Sequence, residues 1–163
     1  MVLGGIAAAL SVAVIGMLII PAQSQSGGTE TIRLCSKEGP GFGYDKDVDV
    51  DGDGHFSAGD SNLFTDKLWN RDTEEGYGHD VGKISFIKLE DRTATAIIDV
   101  TAVLPNGKLS VYGAINFGDP SDPSRIAVVG GTGHFNNATG GLTFHDGRCL
   151  GHKGTVIRAE VTL

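Results

Sequence analysis

The feature that most constrains the fold is a series of short β-branched segments that alternate apolar and polar residues between glycine-rich turns. Residues 29–34 (TETIRL) alternate in this way, and so does the longer segment at residues 92–104 (RTATAIIDVTAVL). The turn residues 105–107 (PNG) follow, and a returning segment covers residues 108–117. Asn-Gly supplies the positive φ angles that tight hairpins need. A period of two residues is typical of half-buried strands, so the chain is predicted to be all-β.

The remaining segments extend this pattern. Further strands are predicted at residues 83–89, 124–129, 141–145 and 154–163. The apolar spacing of residues 62–69 leaves both a strand and a short helix open. Residues 38–60, with an acidic Gly/Asp-rich part at 43–60, are predicted as a loop, and residues 70–82 as a turn. Seven or eight strands without βαβ alternation favour a closed antiparallel barrel or a sandwich, and closure removes exposed strand edges.

The long hairpin has one wholly apolar face and one mixed face. The mixed face carries Asp99 and Thr101 on its first strand and Tyr112 and Asn116 on its second. In an ordinary fold the apolar face forms the core. In a barrel that holds a ligand, the mixed face can line the cavity while the apolar face packs against other subunits. The sequence leaves both arrangements open.

The N-terminal segment is almost wholly apolar. Residues 2–21 carry no charged side chain, and twenty helical residues span roughly 30 Å, enough to cross a bilayer core. Small residues at 22–24 favour a signal peptidase site, so residues 1–24 are predicted to be a cleaved signal peptide. Because no basic residue precedes the apolar run, a membrane anchor or a helix that packs on the protein remains open. Residues 25–163 would form a β-barrel domain that is secreted or anchored outside the cytoplasm, although a cytoplasmic location is also open.

Charge and cysteine content limit the partners and the compartment. The formal net charge of -7 disfavours nucleic acid as a partner, since phosphate backbones are repelled. Cys35 and Cys149 are the only cysteines and flank nearly the whole domain. In an exported protein they are predicted to form one disulfide between the first and last strands, with two buried free thiols as the alternative.

One glycine-rich segment resembles a known family. Residues 126–144 (IAVVGGTGHFNNATGGLTF) are similar to the Gly-Gly-Thr-Gly-x-Phe/Tyr-x-x-Ala-x-Gly segment of dirigent and allene-oxide-cyclase-like barrels. Other parts of the chain match bacterial members in the same order: Gly59, Asp60, Phe64, Leu68, Val81, Gly82, residues 104–109, Gly113 and Phe117. The resemblance covers about residues 57–163. The glycines are interpreted as a corner of the scaffold, because they permit backbone angles that other residues avoid.

The resemblance implies a rigid barrel with a hydrophobic pocket. Family members steer the cyclisation or coupling of a reactive small molecule, including ring-forming cycloadditions in bacterial polyketide pathways. The implied function is that of a cofactor-free cyclase or isomerase whose subunits form homodimers or homotrimers. A non-catalytic secreted binding module, dirigent-like or stabilised by calcium, is the alternative.

The family has no universal catalytic motif, so candidate residues come from the strands themselves. A carboxylate within an apolar strand is costly unless it is paired or faces a wet cavity, which makes Asp99 the first candidate acid or base. Tyr112 and Asn116 are candidate donors to a substrate carbonyl. The candidate substrate-binding residues are Phe64, Trp69, Thr101 and Phe117.

The acidic loop has a metal-binding spacing. Residues 49–60 (DVDGDGHFSAGD) place Asp at positions 1, 3, 5 and 12 and Gly at position 6, as in a calcium loop. The candidate ligands of this structural calcium are Asp49, Asp51, Asp53, His55 and Asp60. Position 12 is Asp rather than the usual Glu, and no helix is predicted before the loop. A solvated acidic turn is therefore the alternative.

Overall fold

The structure is a computed structural model that describes residues 27–38, 40–90, 93–118 and 125–163. It contains nine strands: β1 (Thr29–Lys37), β2 (Gly43–Val48), β3 (Ser61–Asn70), β4 (Gly76–Glu90), β5 (Thr93–Leu104), β6 (Gly107–Phe117), β7 (Arg125–Gly133), β8 (Thr139–Cys149) and β9 (His152–Thr162). The prediction of an all-β fold is confirmed. No helix long and apolar enough to cross a membrane occurs among these residues. The predicted signal, anchor or helix at residues 1–24 lies outside them.

Eight of the strands close into an antiparallel barrel. The order is β1-β9-β8-β7-β6-β5-β4-β3, and β1 pairs with β3 to complete the ring. β3 divides one of its edges between two partners: Gly43–Val48 pairs with Ser61–Asp66, and β1 pairs with Leu68–Asn70. The seam between β1 and β3 therefore contains only three register pairs, and β2 flanks the barrel next to it.

The apolar faces of the strands point into the barrel. Ile98 and Leu104 on β5 and Leu109, Val111 and Ile115 on β6 are buried in one hydrophobic cluster. The mixed faces of this hairpin therefore point outward. In a closed barrel the inner faces of all strands pack against one another. More apolar surface is removed from water when the wholly apolar face points inward, and this arrangement is therefore the more stable one.

In three segments the structure settles or corrects what the sequence predicted. Residues 62–69 lie in strand β3 rather than in a helix. The predicted loop at 38–60 contains β2, all of whose residues except Val48 are exposed. The predicted turn at 70–82 is wrong beyond residue 75, because β4 begins at Gly76. Gly78, with φ 143°, brings the chain so close to β5 that a Cβ atom would clash with the carbonyl oxygen of Val103. The glycine thus allows a close strand approach and does not mark a turn.

The two cysteines form the predicted disulfide, but it joins the first strand to β8 and not to the last strand, β9. Cys35 on β1 and Cys149 at the end of β8 are joined across 114 residues of sequence, and both are fully buried. β9 lies between β1 and β8 in the barrel, and all three strands are hydrogen-bonded in sequence. The bridge therefore fixes three neighbouring strands covalently at one end of the barrel.

Candidate functional site

The barrel encloses a cavity of about 680 Å³. Its volume falls within the usual range of small-molecule sites, which are mostly apolar with a few placed polar groups. Every barrel strand contributes to the wall. The apolar lining includes Ile32, Leu34, Phe64, Leu68, Ile84, Ile98, Val100, Ala102, Leu109, Val111, Leu142 and Phe144.

Four carboxylates also line this cavity. Glu38 follows β1, Asp45 lies on β2, Asp66 on β3 and Asp80 on β4. We call these residues the acidic cluster. Glu38 and Asp45 are exposed to solvent, whereas Asp66 is half-buried and Asp80 is only 6% exposed. Because exposed and buried members line one cavity, it opens to solvent beside the acidic cluster.

Asp80 is held by the backbone of β3. Between the register pairs Phe64–Gly82 and Lys67–His79, the amide of Asp66 donates a hydrogen bond of 3.0 Å to Asp80 Oδ1. The hydroxyl of Thr65 donates a bond of 2.6 Å to the Asp80 carbonyl oxygen. These two bonds fix the main chain and the carboxyl group of Asp80 at the cavity wall.

Burial raises the pKa values of the two inner carboxyl groups, those of Asp66 and Asp80. Burial, and secondarily the charge of Asp66, raises the pKa of Asp80 to about 7. Burial also raises the pKa of Asp66 to about 6, with smaller contributions from Asp45 and Glu38. An ionised carboxylate is disfavoured in an apolar site and beside like charges. Near neutral pH, Asp80 is therefore able either to donate or to accept a proton.

The comparison with protein families agrees with this architecture. Residues 44–162 match the family described as the allene oxide cyclase barrel like domain. The chain belongs to this family. The resemblance inferred from the glycine-rich segment is thereby confirmed.

Solved structures with the same barrel have different activities in their names. A pyocyanin demethylase has a TM-score of 0.61 at 19% identity, covering 82% of this chain and 99% of its own. A pterocarpan synthase dirigent protein has a TM-score of 0.60 at 17% identity, with 83% and 88% covered. A Diels–Alderase from Streptomyces koyangensis has a TM-score of 0.54 at 11% identity, with 84% and 70% covered. At these identities the likeness shows the allene oxide cyclase-like fold alone. No curated protein sequence matches the chain.

The predicted catalytic residues do not line the cavity of this allene oxide cyclase-like barrel. Asp99 and Tyr112 are opposite each other on β5 and β6, and both are exposed on the outer face. Asn116 is also on the outside, where its Oδ1 accepts a hydrogen bond of 2.8 Å from Thr95. Of the two arrangements that the sequence left open, the structure has the one in which the wholly apolar face of the hairpin points inward, so these three side chains lie outside the cavity.

The predicted substrate-binding residues are divided between inside and outside. Phe64 lines the cavity. Thr101 lies on the outer face and shares a hydrogen bond of 3.1 Å with Ser110. Trp69 packs outside the barrel, its ring centroid 5.9 Å from that of Phe42. Phe117 is half-buried against the hydrophobic core but is not part of the cavity wall.

Sequence reasoning missed Asp66 and Asp80. A signal for Asp66 was present, since it alternates with Phe64 and Leu68 on the apolar face of β3. Asp80 was hidden because Gly76 and Gly78 made its segment look like a turn. Its position on β4, facing Asp66, emerges only from the strand pairing.

The structure brings part of the predicted calcium loop together. Carboxylate oxygens of Asp49, Asp51 and Asp53 lie within 4.8 Å of one another. Both Asp49 oxygens accept backbone hydrogen bonds, from the amides of Gly52 and Gly54. Such a three-carboxylate arrangement fits a hard cation such as calcium, but it provides only half of the six to eight oxygens that calcium takes.

The other two candidate ligands do not join that group. Asp60 is buried, and its two oxygens accept hydrogen bonds from the amides of Val50 (2.8 Å) and Ser57 (2.6 Å). His55 is exposed, and its amide donates to Asp53. Asp60 thus fastens the loop to β3 through backbone bonds. Calcium binding by the loop stays a prediction.

Proposed function

We propose that the protein is a cofactor-free cyclase or isomerase that binds a hydrophobic small molecule in the barrel and promotes ring formation. The observation that carries this proposal is a buried carboxyl group, Asp80, with a pKa of about 7 on the wall of an apolar cavity of about 680 Å³. General acids are most effective when their pKa lies near the working pH. The structure otherwise offers chiefly apolar walls, which suit the folding of a reactive substrate.

In the proposed mechanism, most of the rate enhancement comes from the apolar walls, which hold the substrate in a reactive conformation. Holding two reactive ends of one molecule in contact removes much of the entropic barrier to ring closure. A polyketide-like intermediate with carbonyl groups and unsaturated carbons fits such a wall. A cycloaddition needs this positioning and a polarised carbonyl, and no atoms are gained or lost.

Asp80 supplies the polarisation. Its Oδ1 accepts the hydrogen bond from the Asp66 amide, so the proton of the neutral acid resides on Oδ2. In the proposed step, Oδ2 donates that proton to a substrate oxygen while the ring bond forms. The product then returns a proton to the carboxylate, and the overall change is an isomerisation. Asp66 is a positioning residue in this scheme.

The fold-level likeness to a Diels–Alderase supports a ring-forming role. The test uses linear polyene substrates that carry a carbonyl-activated alkene, with cyclic product measured by chiral chromatography and mass spectrometry. We expect Asp80→Asn to lower the rate of cyclisation by about 100- to 10,000-fold. The matched control is Asp99→Asn, since Asp99 lies on the outer face. Full turnover by the Asp80 variant would exclude Asp80 as the acid.

A second candidate is a dirigent-like binding module without turnover of its own. The fold-level likeness to a pterocarpan synthase dirigent protein favours it. In this case the barrel would retain a hydrophobic ligand and return it unchanged. Equilibrium dialysis followed by mass spectrometry of the ligand separates the two candidates, because only a cyclase changes the structure of what it binds.

Assembly and location remain proposals. Val81, Tyr112 and Val129 are exposed on the outer faces of β4, β6 and β7, where they suit contact with another subunit in a homodimer or homotrimer. Light scattering would give the number of subunits. The mass of the mature protein would show whether residues 1–24 are removed, and membrane fractionation would test whether residues 2–21 associate with a bilayer.

A further inference from the structure

The charged residues that line the cavity are four carboxylates and one lysine, Lys37. The acidic cluster places Glu38, Asp45, Asp66 and Asp80 on one cavity wall. Throughout the described ranges, no Lys, Arg or His forms an ion pair with Asp45, Asp66 or Asp80. Glu38 alone has a cationic partner, Lys153, at 2.9 Å.

The nearby lysines are directed elsewhere. Lys37 is itself among the cavity-lining residues, but its Nζ lies 4.4 Å from the ring centroid of Trp69 and 5.2 Å from that of Phe42. Lys67 Nζ donates a hydrogen bond of 2.9 Å to the carbonyl oxygen of Gly41. Lys46 neighbours Asp45 in β2, where successive side chains point to opposite faces. The inner carboxylates therefore lack the cation that normally accompanies a buried acidic group.

Burying these carboxyl groups without a cationic partner costs free energy. Asp66 and Asp80 are removed from water and repel each other and Asp45, which is the reason their carboxyl groups hold protons near neutral pH. A positive charge placed beside Asp45 and Asp66 would favour their ionised forms. If the cation also had an apolar body, that body would pack against the hydrophobic wall, which includes Ile98, Val100 and Val111.

We propose that the ligand of this barrel is a cationic amphiphile, with a protonated amine beside Asp45 and Asp66 of the acidic cluster and an apolar body against the aliphatic wall. The inference rests on the proposed function only in using the same cavity. It names the substrate class: a hydrophobic intermediate that contains a basic nitrogen. It also disfavours ligands with a carboxylate head group, such as free fatty acids, because their charge would meet Asp45 and Asp66.

The test compares three dansyl probes with the same eight-carbon chain, ending in a primary amine, a methyl group or a carboxylate. Their dissociation constants are measured by fluorescence titration of the full chain at pH 8, where Asp66 and Asp80 are both ionised. We expect the amine to bind about tenfold or more tightly than the neutral probe, since close opposite charges in a partly buried site contribute at least that much. The carboxylate should bind most weakly.

Three variants locate the origin of this preference. Asp66→Asn and the double change Asp45→Asn with Asp66→Asn should each reduce the ratio of neutral to cationic dissociation constants. Asp99→Asn removes one negative charge from the outer face and should leave the ratio unchanged. Thermal melting verifies that each variant is folded before titration.

A second readout does not depend on substitution. Carboxyl carbon NMR should show the pKa of Asp66 falling when the amine probe saturates the protein, and not when the neutral probe does. Equal affinity of the amine and neutral probes would overturn the proposal. A preference for the amine that persists in the double variant would also overturn it, because the preference would then arise from the overall charge of the protein. Failure of all three probes to bind would overturn it as well. Turnover plays no part, so loss of the proposed cyclase activity leaves this result intact.

Discussion

The main-chain amide of Asp66 donates a hydrogen bond of 3.0 Å to Oδ1 of Asp80. This bond joins β3 to β4 through a side chain at the cavity wall. It gives the Asp80 carboxyl group a fixed orientation without giving it a positive partner. Burial can then keep the pKa high, whereas an Arg or Lys at the same point would lower it.

If Asp80 acts as the acid, turnover should fall as the pH rises through about 7, the value to which burial raises its pKa. The protonated form is the active one, so the rate should be highest below this pH and lose about tenfold per unit above it. The measurement is the pH dependence of kcat/KM between pH 5 and 9. Asp99→Asn should retain the same descending limb. A rate that rises with pH would mean that the ionised carboxylate is the active form.

Stability should also depend on Asp80. Its pKa is raised from 3.8 to about 7 in the folded state, so the folded protein binds more protons than the unfolded chain between these values. Stability from this group is therefore present below about pH 4 and is lost as the pH rises to 7. Asn does not titrate, so Asp80→Asn should gain about 1–3 kcal/mol relative to the native protein between pH 4 and pH 8.

Urea unfolding of both proteins at pH 4, 6 and 8 provides the comparison. Contributions of the other carboxyl groups largely cancel in the difference between them. A difference in unfolding free energy that stays constant across this range would show that Asp80 has an ordinary acidity.

The disulfide should make a large contribution to stability. Cys35 and Cys149 close a loop of 114 residues, and a loop of this length corresponds to about 4–5 kcal/mol in the chain-entropy treatment. Replacing both cysteines by Ala should lower the unfolding free energy by roughly this amount, as measured by urea unfolding without reductant. Equal stability of the native and double-variant proteins would contradict the prediction. The Ala pair keeps the buried site apolar, so no lone thiol complicates the result.

Gly82 has no side chain, and this leaves room for the Phe64 ring in the cavity wall. A Cβ atom there would lie 2.5 Å from Phe64 Cζ and 2.7 Å from a Val100 methyl group. Gly82→Ala should therefore displace the Phe64 ring, at a cost of about 1–3 kcal/mol, and weaken binding of the hydrophobic probes. Gly76→Ala is the control, since nothing lies within 4 Å of its added Cβ. Melting temperature and probe titration report the two effects, and unchanged probe affinity would show that Phe64 does not shape the bound state.

Calcium binding by residues 49–60 stays a prediction with a direct test. Calorimetric titration should give binding heat for the native loop, because Asp49, Asp51 and Asp53 already converge. Asp51→Asn should reduce the affinity about tenfold or more. No heat at millimolar calcium would end the idea, and the loop would then be an acidic turn fastened by Asp60.

The strands of the long hairpin were predictable because their alternation is regular, yet the face that points inward was not. A period of two residues separates Asp99 from Val100 but does not say which of them lies on the concave side. That information comes from closure of the sheet, which depends on all eight strands. The two strands and the shared face of Asp99, Tyr112 and Asn116 were therefore predictable, but not that this face lies outside the cavity.

β2 and Asp80 were missed for different reasons. β2 pairs with β3 alone and lies almost wholly in solvent, so its sequence GYDKDV has no apolar face to detect. Asp80 lies among glycines that normally break strands. Phe64, by contrast, was found from its apolar character. Interpreting Gly130–Gly133 as a corner was wrong, because these residues lie within β7 and pair with β6, where the register shifts next to Gly130.

The pairing of β1 with β9 has a consequence for synthesis of the chain. Thr29 is opposite Thr162, and Ser36 is opposite Thr155. The partner of the first strand is therefore synthesised long after it, and an intermediate without β9 is an open sheet with two bare edges. Until β9 takes its place between β1 and β8, the cavity has no closed wall, and no strand holds Cys35 next to Cys149.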